Sequence, residues 1–421
     1  MKKRWMGLLL VLALVLALPT GCGRKNEVAS YEDPNREVTS ITFFGNKYEP
    51  ENVAVIEEIL SGFMAEHTDI RVSYESMKGS DYYEALRKRM ASHHGNDVFM
   101  VDHDTLLELE AAGQLADLSG LSVIPRYTEQ MRGQMEGDGG IHWVPTTVSV
   151  FGLYCNLDLL EEWGQAVPGT LPEWEAACAA FARQGITPIV ANNDISLKTL
   201  AIGRGFYQVY QENRQAEVFE RLNSGETPLS GYLEDGFALV KALIDRGYVD
   251  AERALVTKKT SDDLEEFAKG EAPFLLTGAW AAGRVESMAP GFAFEVVPLP
   301  VLEDGALLVI NPDTRLSVNA DSEHLDAALK FVEYFTQEEN IHRFADQQSS
   351  FCPLEGDTSS SVLAVRALRP CYTEGRTVIG SDGLLELPIW SITAEASRML
   401  LEGEPLEAAM DWMDRQGGRE P

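Results

Sequence analysis

Short apolar runs alternate with helical stretches from Ser40 onward, and this alternation limits the possible folds more than any other feature of the chain. "SITFFG" (40–45) reads as a buried strand, and Ile56, Ile59, Leu60, Phe63 and Met64 then fall on one face of a helix. "IRVSY" (70–74) alternates as a strand, "YYEALRKRM" (82–90) is helical, and "DVFMVD" (97–102) suits a parallel strand covered on both faces. Strand, helix, strand, helix, strand implies a doubly wound α/β lobe. A second lobe is expected to start near the strand-like "VSVFGLYCN" (148–156). Behind it, Thr170-Leu171-Pro172-Glu173 forms a capping box with proline inside the first helical turn, and Trp174, Cys178 and Phe181 recur at helical spacing. "ITPIVA" (186–191), "APFLLTG" (272–278), "FAFEVVPLP" (292–300) and, beyond a turn region, "RLSVN" (315–319) read as further strands. Helices are expected at Phe237–Ile244, at Leu325–Val332 and over 389–403 and 405–416. At about 150 residues per domain, 421 residues fit two lobes.

The chain opens with Lys2, Lys3 and Arg4 before an unbroken apolar stretch from Leu8 to Leu18, the order of a secretory leader and too short for a membrane helix of about 20 residues. Leu-Pro-Thr-Gly-Cys, ending at Cys22, resembles a bacterial lipobox, in which the cysteine is acylated and becomes the mature N-terminus. A cleaved leader with an incidental cysteine is the plainer alternative. Residues 1–21 are therefore expected to be a lipoprotein signal peptide and 22–39, polar and proline-containing, a flexible tether at the outer face of the cell membrane.

The formal charge of −31 argues against a polyanionic partner such as nucleic acid. Export permits disulfides among Cys155, Cys178, Cys352 and Cys371, with Cys352 and Cys371 flanking one loop-like stretch; buried free thiols are the alternative. Catalytic signatures are missing: no G-x-S-x-G elbow, no phosphate-binding loop, no H-E-x-x-H and no EF-hand loop. Gly203-Arg204-Gly205 lacks the third glycine of a dinucleotide fingerprint. His93, His94 and His103 meet no fixed metal-ligand spacing and are read as solvated loop histidines. Nothing singles out a carboxylate pair for glycoside hydrolysis, so no enzyme, cofactor or metal is expected.

Four stretches carry a family resemblance: "GNDVFMVDHDTLLELEAAGQLADLS" (95–119), "HWVPTTVSVFGLYCNLDLLEEWG" (142–164), "PGTLPEWEAACAAFARQGITPIV" (168–190) and "FAKGEAPFLLTGAWAAG" (267–283). Together they resemble family 1 of the extracellular solute-binding proteins of bacterial ABC importers, carbohydrate type, the group containing maltose-binding protein. In the second stretch the family's tyrosine is displaced to Tyr154, Cys155 takes its place and Leu157 replaces a lysine. The resemblance, over about Ser40 to Arg415, implies the two-lobed periplasmic-binding-protein-like fold of class II, each lobe a mostly parallel sheet flanked by helices, with ligand between the lobes. Residues 40–149 and 300–348 would form lobe 1, and 150–299 and 349–421 lobe 2. Crossings would fall near Ser149–Phe151, Pro298–Val301 and Ala345–Phe351.

The same resemblance implies a monomeric receptor, held to the membrane by its lipid anchor, that captures a mono- or oligosaccharide and delivers it to the permease subunits. A receptor for a peptide or polyamine, a receptor feeding a sensor kinase, and a surface glycoside hydrolase are the alternatives. Trp280 matches the family's cleft tryptophan, and Trp390 resembles a second aromatic platform; an indole covers the apolar face of a sugar while polar neighbours bond its hydroxyls. Asn46 and Lys47 follow the first strand and Asp102 and Asp104 the third, where ligands of open parallel sheets bind and where carboxylates would accept charge-assisted hydrogen bonds. Val101 stands where the maltose-binding stretch has an aromatic. Ser149 and Asn192 are further candidates.

Overall fold

Parallel pairing begins at the first strand, β1 (Thr39–Gly45), which runs beside β2 (Ile70–Ser76) in register from Thr39 opposite Ile70 and takes β3 (Val98–Val101) on its other edge. The computed structural model describes residues 38–137, 139–356 and 362–417; the expected leader, Cys22 with its expected acylation and all but the end of the expected tether lie outside them. The connecting helices Pro50–Glu66 and Gly79–Ala91 bury the faces read from the sequence. Ile56, Ile59, Leu60 and Phe63 are buried in the first and Met64 packs against the core from its edge. Phe43 meets Phe331 and Phe335 of helix Leu325–Phe335 with ring centroids 5.5 and 6.1 Å apart, and burying each such ring contributes about 1.5–3 kcal/mol.

The other half is built around β4 (Val144–Asn156), thirteen residues long and buried throughout. Its final residues pair antiparallel with β6 (Phe274–Gly278) and β7 (Phe294–Val297), and β5 (Ile189–Val190) lies parallel to β6. β8 (Leu299–Leu302) turns back onto β9 (Gly305–Val318), so Pro298–Val301 leads into a hairpin. β9 then runs the width of the sheet. It pairs with β10 (Thr377–Ile379) through Leu308–Ile310, with β4 from Val309 to Leu316, and with β3 through Arg315–Val318. The strand order β2-β1-β3-β9-β4-β6-β5 is thus parallel at both ends and antiparallel at the centre. Val38–Pro421 forms one compact unit.

Two sequence expectations are corrected. The segment before Arg315, read as a turn region, is strand, although it contains Pro312. Proline removes a backbone donor and is confined to strand positions that lack a partner on that side. Pro312 sits opposite Val148 of β4, in the gap where β9 has passed β10 and not yet reached β3. "ITPIVA" yields only the two residues of β5, because Asn192 ends it by capping the next helix. The capping box forms with a variation: Thr170 Oγ1 accepts from the Glu173 amide at 3.4 Å, and the Glu173 carboxylate accepts from the Gly169 amide at 2.8 Å. Gly203 and Gly205 have a packing role. Helix Ile195–Gln211 crosses helix Ser230–Asp245 so closely that a Cβ at Gly205 would fall 2.7 Å from the Tyr232 carbonyl, and one at Gly236 2.2 Å from the Ala201 carbonyl. All four cysteines among the described residues are buried free thiols.

Candidate functional site

A cleft of about 1020 Å³ opens where the parallel strands end. Residues 46–49 follow β1, Lys78 follows β2, Asp102 and Asp104 follow β3, Asp194 lies beyond β5, and Trp280 stands just after β6. This is the crevice that a parallel α/β sheet offers to ligands, and its size is at the upper end of the roughly 300–1,000 Å³ of small-molecule sites. A smaller cavity of about 350 Å³, lined by His67, Leu118, Leu329 and Tyr334, shares no residue with it.

Two indoles form one wall, braced on a buried third ring. Phe151, buried on β4, stands edge-on to Trp280 at 5.0 Å and lies 5.4 Å from Trp390, whose indole projects from the first turn of helix Ile389–Leu401. Two glycines make room for the indoles. A Cβ on Gly278 would sit 2.0 Å from the Trp280 ring, and one on Gly380 2.8 Å from the Trp390 ring. Both tryptophans are half-buried and line the cleft, the exposure expected of a stacking platform and not of a core residue.

Polar groups surround this wall. Asp102 caps helix His103–Ala111 by accepting from the Thr105 amide at 2.8 Å. Asp104, in the first turn of that helix, accepts from the Ser391 hydroxyl through Oδ2, while its buried Oδ1 has no partner. Burial, helped by the neighbouring Asp102 charge and opposed by the Ser391 bond, holds the Asp104 carboxyl above its ordinary range. Asn46 donates to the Tyr83 hydroxyl at 3.0 Å, and its Oδ1 is likewise buried without a partner. Two orphan acceptors in one cleft leave a place for hydrogen-bond donors.

Lys198 was not foreseen. It is 1% exposed, its Nζ lies 4.3 Å above the Trp390 ring and 3.2 Å from the Trp390 carbonyl, and it contacts Asp194 one helical turn earlier. Burial pulls its pKa down to about 8 against the Asp194 charge, and Asp194, though half-buried, is held below the usual carboxylate range by Lys198 and Lys259. A lysine within the apolar "ISLKTLAI", four residues after an aspartate, was the available signal. Arg284, also unforeseen, meets Glu49 at 3.3 Å and the Thr260 carbonyl at 3.1 Å.

Six of the eight expected ligand contacts therefore share this cleft: Asn46, Lys47, Asp102, Asp104, Trp280 and Trp390. The structure places Ser149 and Asn192 elsewhere. Ser149 is buried in β4 opposite Asn311 of β9. Asn192 Oδ1 accepts from the amides of Asp194, Ile195 and Ser196, and its amide donates to Asp263 at 2.8 Å, so its polar atoms are spent on capping. His103, expected in a solvated loop, is buried at the start of its helix, bonded to the Leu385 carbonyl at 2.9 Å and facing Arg315 at 3.5 Å. His93 stays exposed beside Asp321. Among the described residues no cluster of three or more histidine, cysteine or acidic side chains could hold a metal.

A mixed α/β sheet with its ligand-sized crevice at the strand ends, walled by aromatics and polar acceptors, defines a binding protein of the two-lobed class. A family model described as bacterial extracellular solute-binding protein matches residues 46–341, and the chain belongs to that family. It is 23% identical over 361 residues to the multiple sugar-binding protein of Streptococcus mutans, covering 83% of this chain and 82% of that one. It is 24% identical over 353 residues to an uncharacterized lipoprotein of Streptomyces antibioticus, covering 80% and 74%. A Bacillus licheniformis sugar transporter solved in complex with stachyose superposes with a TM-score of 0.69 at 18% identity, over 90% of this chain and 98% of that one.

Proposed function

We propose that this chain is the capture subunit of an ABC importer: it binds a carbohydrate in the cleft outside the cell membrane and delivers it to the permease subunits. The observation that carries this reading is the pair of half-buried indoles, Trp280 and Trp390, braced on Phe151 and facing the unpartnered acceptors of Asp104 and Asn46. Rings present apolar faces and ring-edge hydroxyls, and this arrangement offers a surface to each. Two of the cleft's carboxylates are committed to the fold, Asp102 to its helix cap and Asp194 to two lysines, which supports binding over hydrolysis. The receptor returns its ligand unchanged.

In the same reading the two ends of the sheet are two lobes that close about β4, β9 and the chain at Phe351, which pairs with Val148. β9 replaces Pro298–Val301 as the middle crossing, so lobe 1 regains the chain near Thr314 and not at residue 300. Cys22 carries the lipid that keeps the monomer near its permease, and no cofactor or nucleic acid takes part. The test is a thermal-shift screen of the protein from residue 30 against mono- and oligosaccharides, amino acids, peptides and polyamines. A ligand at 100 times its Kd adds about 2.7 kcal/mol of stability. The expected result is a shift with a saccharide that Trp280→Ala abolishes, and no release of reducing ends on incubation. A shift with a peptide or polyamine alone would replace the ligand class.

A further inference from the structure

The charge of the cleft runs against the charge of the chain. The molecule as a whole carries −31, yet Lys47, Lys78, Lys198, Lys258, Lys259 and Arg284 all line this one crevice. Its acids are largely committed elsewhere. Glu49 holds Arg284 and accepts from Asn52 at 2.9 Å, Asp194 is shared by Lys198 and Lys259, Asp102 caps its helix, and Asp104 is buried against Ser391. Among the described residues, Glu51, exposed on the first turn of its helix, is the one acid of the cleft without a partner. The cations are less committed. Among the described residues, Lys47, Lys78 and Lys258 have no ion pair, and Lys78 meets only the face of Tyr48 at 5.5 Å.

These lysines approach from both sides. Lys47 and Lys78 stand on the loops after β1 and β2, whereas Lys258 follows helix Ala251–Val256 at the far end of the sheet. The first turns of helices Pro50–Glu66, Gly79–Ala91 and Ile389–Leu401 also border the cleft, and the positive end of each helix dipole adds to the field there. Deep in the crevice, Lys198 keeps a cation against Trp390, so the aromatic platform itself is electropositive on one face. Uncompensated cations on opposite rims repel each other as the rims approach, and an anionic ligand turns that repulsion into attraction for the closed form.

Resting on the carbohydrate reading above, we infer that the preferred ligand is an acidic saccharide, a glycan whose carboxylate, sulfate or phosphate substituent sits among Lys47, Lys78 and Lys258 while its rings lie on Trp280 and Trp390. The anion bridges the two rims, and the orphan acceptors of Asp104 and Asn46 take ring hydroxyls.

Calorimetric titrations of the protein from residue 30 with matched pairs test this: trigalacturonate against its carboxyl-reduced form, and a phosphorylated and a sulfated disaccharide against their unmodified parents. The expected result is at least tenfold tighter binding of one acidic member than of its neutral partner, which is 1.4 kcal/mol. That advantage shrinks as NaCl rises from 20 to 300 mM, and Lys78→Met with Lys258→Met reduces it at least several-fold while leaving neutral binding within a few-fold. The salt series on the unmodified protein stands even where the double variant does not fold. Which acidic member wins identifies the substituent. If neutral members bind as well as or better than acidic ones, the acidic-ligand inference is overturned and the carbohydrate reading stands. If no saccharide of either kind binds, both are overturned.

Discussion

Gly278 illustrates how much of the cleft depends on single residues. Its φ of −76° asks nothing special of the backbone, so the position needs glycine for space alone: the Trp280 ring occupies the volume a Cβ would take. Gly278→Ala is expected to push the indole off Phe151 and weaken saccharide binding at least tenfold while lowering stability by only about 1–3 kcal/mol, the range for an overpacked site. Titration calorimetry and denaturation of the same variant check the two parts. Unchanged affinity would mean that the indole position does not set the site. His103 gives a second prediction. Burial, then the nearby Arg315 charge, drive its pKa from 6.5 down to about 3, against its bond to Leu385. Between those values the unfolded chain binds one proton more than the folded one, so stability falls as pH drops from 6.5 toward 3, by up to about 1.4 kcal/mol per pH unit. Asp104, Asp263 and Asp382, whose carboxyls are raised by burial, act in the opposite direction in any variant and cancel in a comparison. Denaturation from pH 7 to pH 4.5 should therefore show a steeper loss in the unmodified protein than in His103→Gln. Parallel curves would show that His103 is not the linked group.

Among the elements, the helix pair Ile195–Gln211 and Ser230–Asp245 matters most to the site, because the first helix carries Lys198 and its neighbour fixes its position. Gly236→Ala brings a methyl group against the Ala201 backbone, which cannot rotate away. A loss of about 2 kcal/mol in denaturant unfolding is expected, whereas the same change at exposed Gly231, where the nearest atom is an ordinary 3.7 Å away, should be neutral or stabilising. These elements differ in how far the sequence revealed them. β1, β2, β3 and β6 were legible because each is a short apolar run between helical stretches. The helix over Leu171–Ala182 announced itself through Thr170 and Glu173. Only the last part of β9, "RLSVN", was legible, since "INPD" ahead of it carries a turn signal, and only the gap between β10 and β3 makes its proline acceptable. The site follows the same division. Asn46, Lys47, Asp102 and Asp104 could be read from their place at strand ends, and Trp280 and Trp390 from resemblance. Lys198 and Arg284 lie within helices, where the linear pattern does not tell a cleft wall from a solvated face. Ser149 and Asn192 sit at plausible positions, yet Ser149 is buried within the sheet and the polar atoms of Asn192 are used by the fold.

At the scale of the molecule, an ion pair ties the two ends of the sheet across the cleft, beside the Ser391 to Asp104 hydrogen bond. Glu49, on the loop after β1, meets Arg284 of helix Ala282–Ser287 at 3.3 Å, with side chains 19% and 30% exposed. An exposed pair contributes at most about 1 kcal/mol, but the lobes of a hinge protein are balanced by only a few kcal/mol, so this latch changes the populations of open and closed forms about fivefold. Glu49→Gln removes the charge and keeps the shape. Small-angle scattering of the unliganded variant should give a larger radius of gyration than the unmodified protein, with the two converging once saturated with ligand. Affinity should fall by no more than about fivefold, because the ligand must supply the closing free energy the ion pair gave. The direction also separates latch from ligand contact: a residue that touches the sugar would lower affinity without opening the free protein. An unliganded radius that does not change would mean that closure is set by β4, β9 and the chain at Phe351, with the Glu49 to Arg284 contact following the lobes instead of holding them.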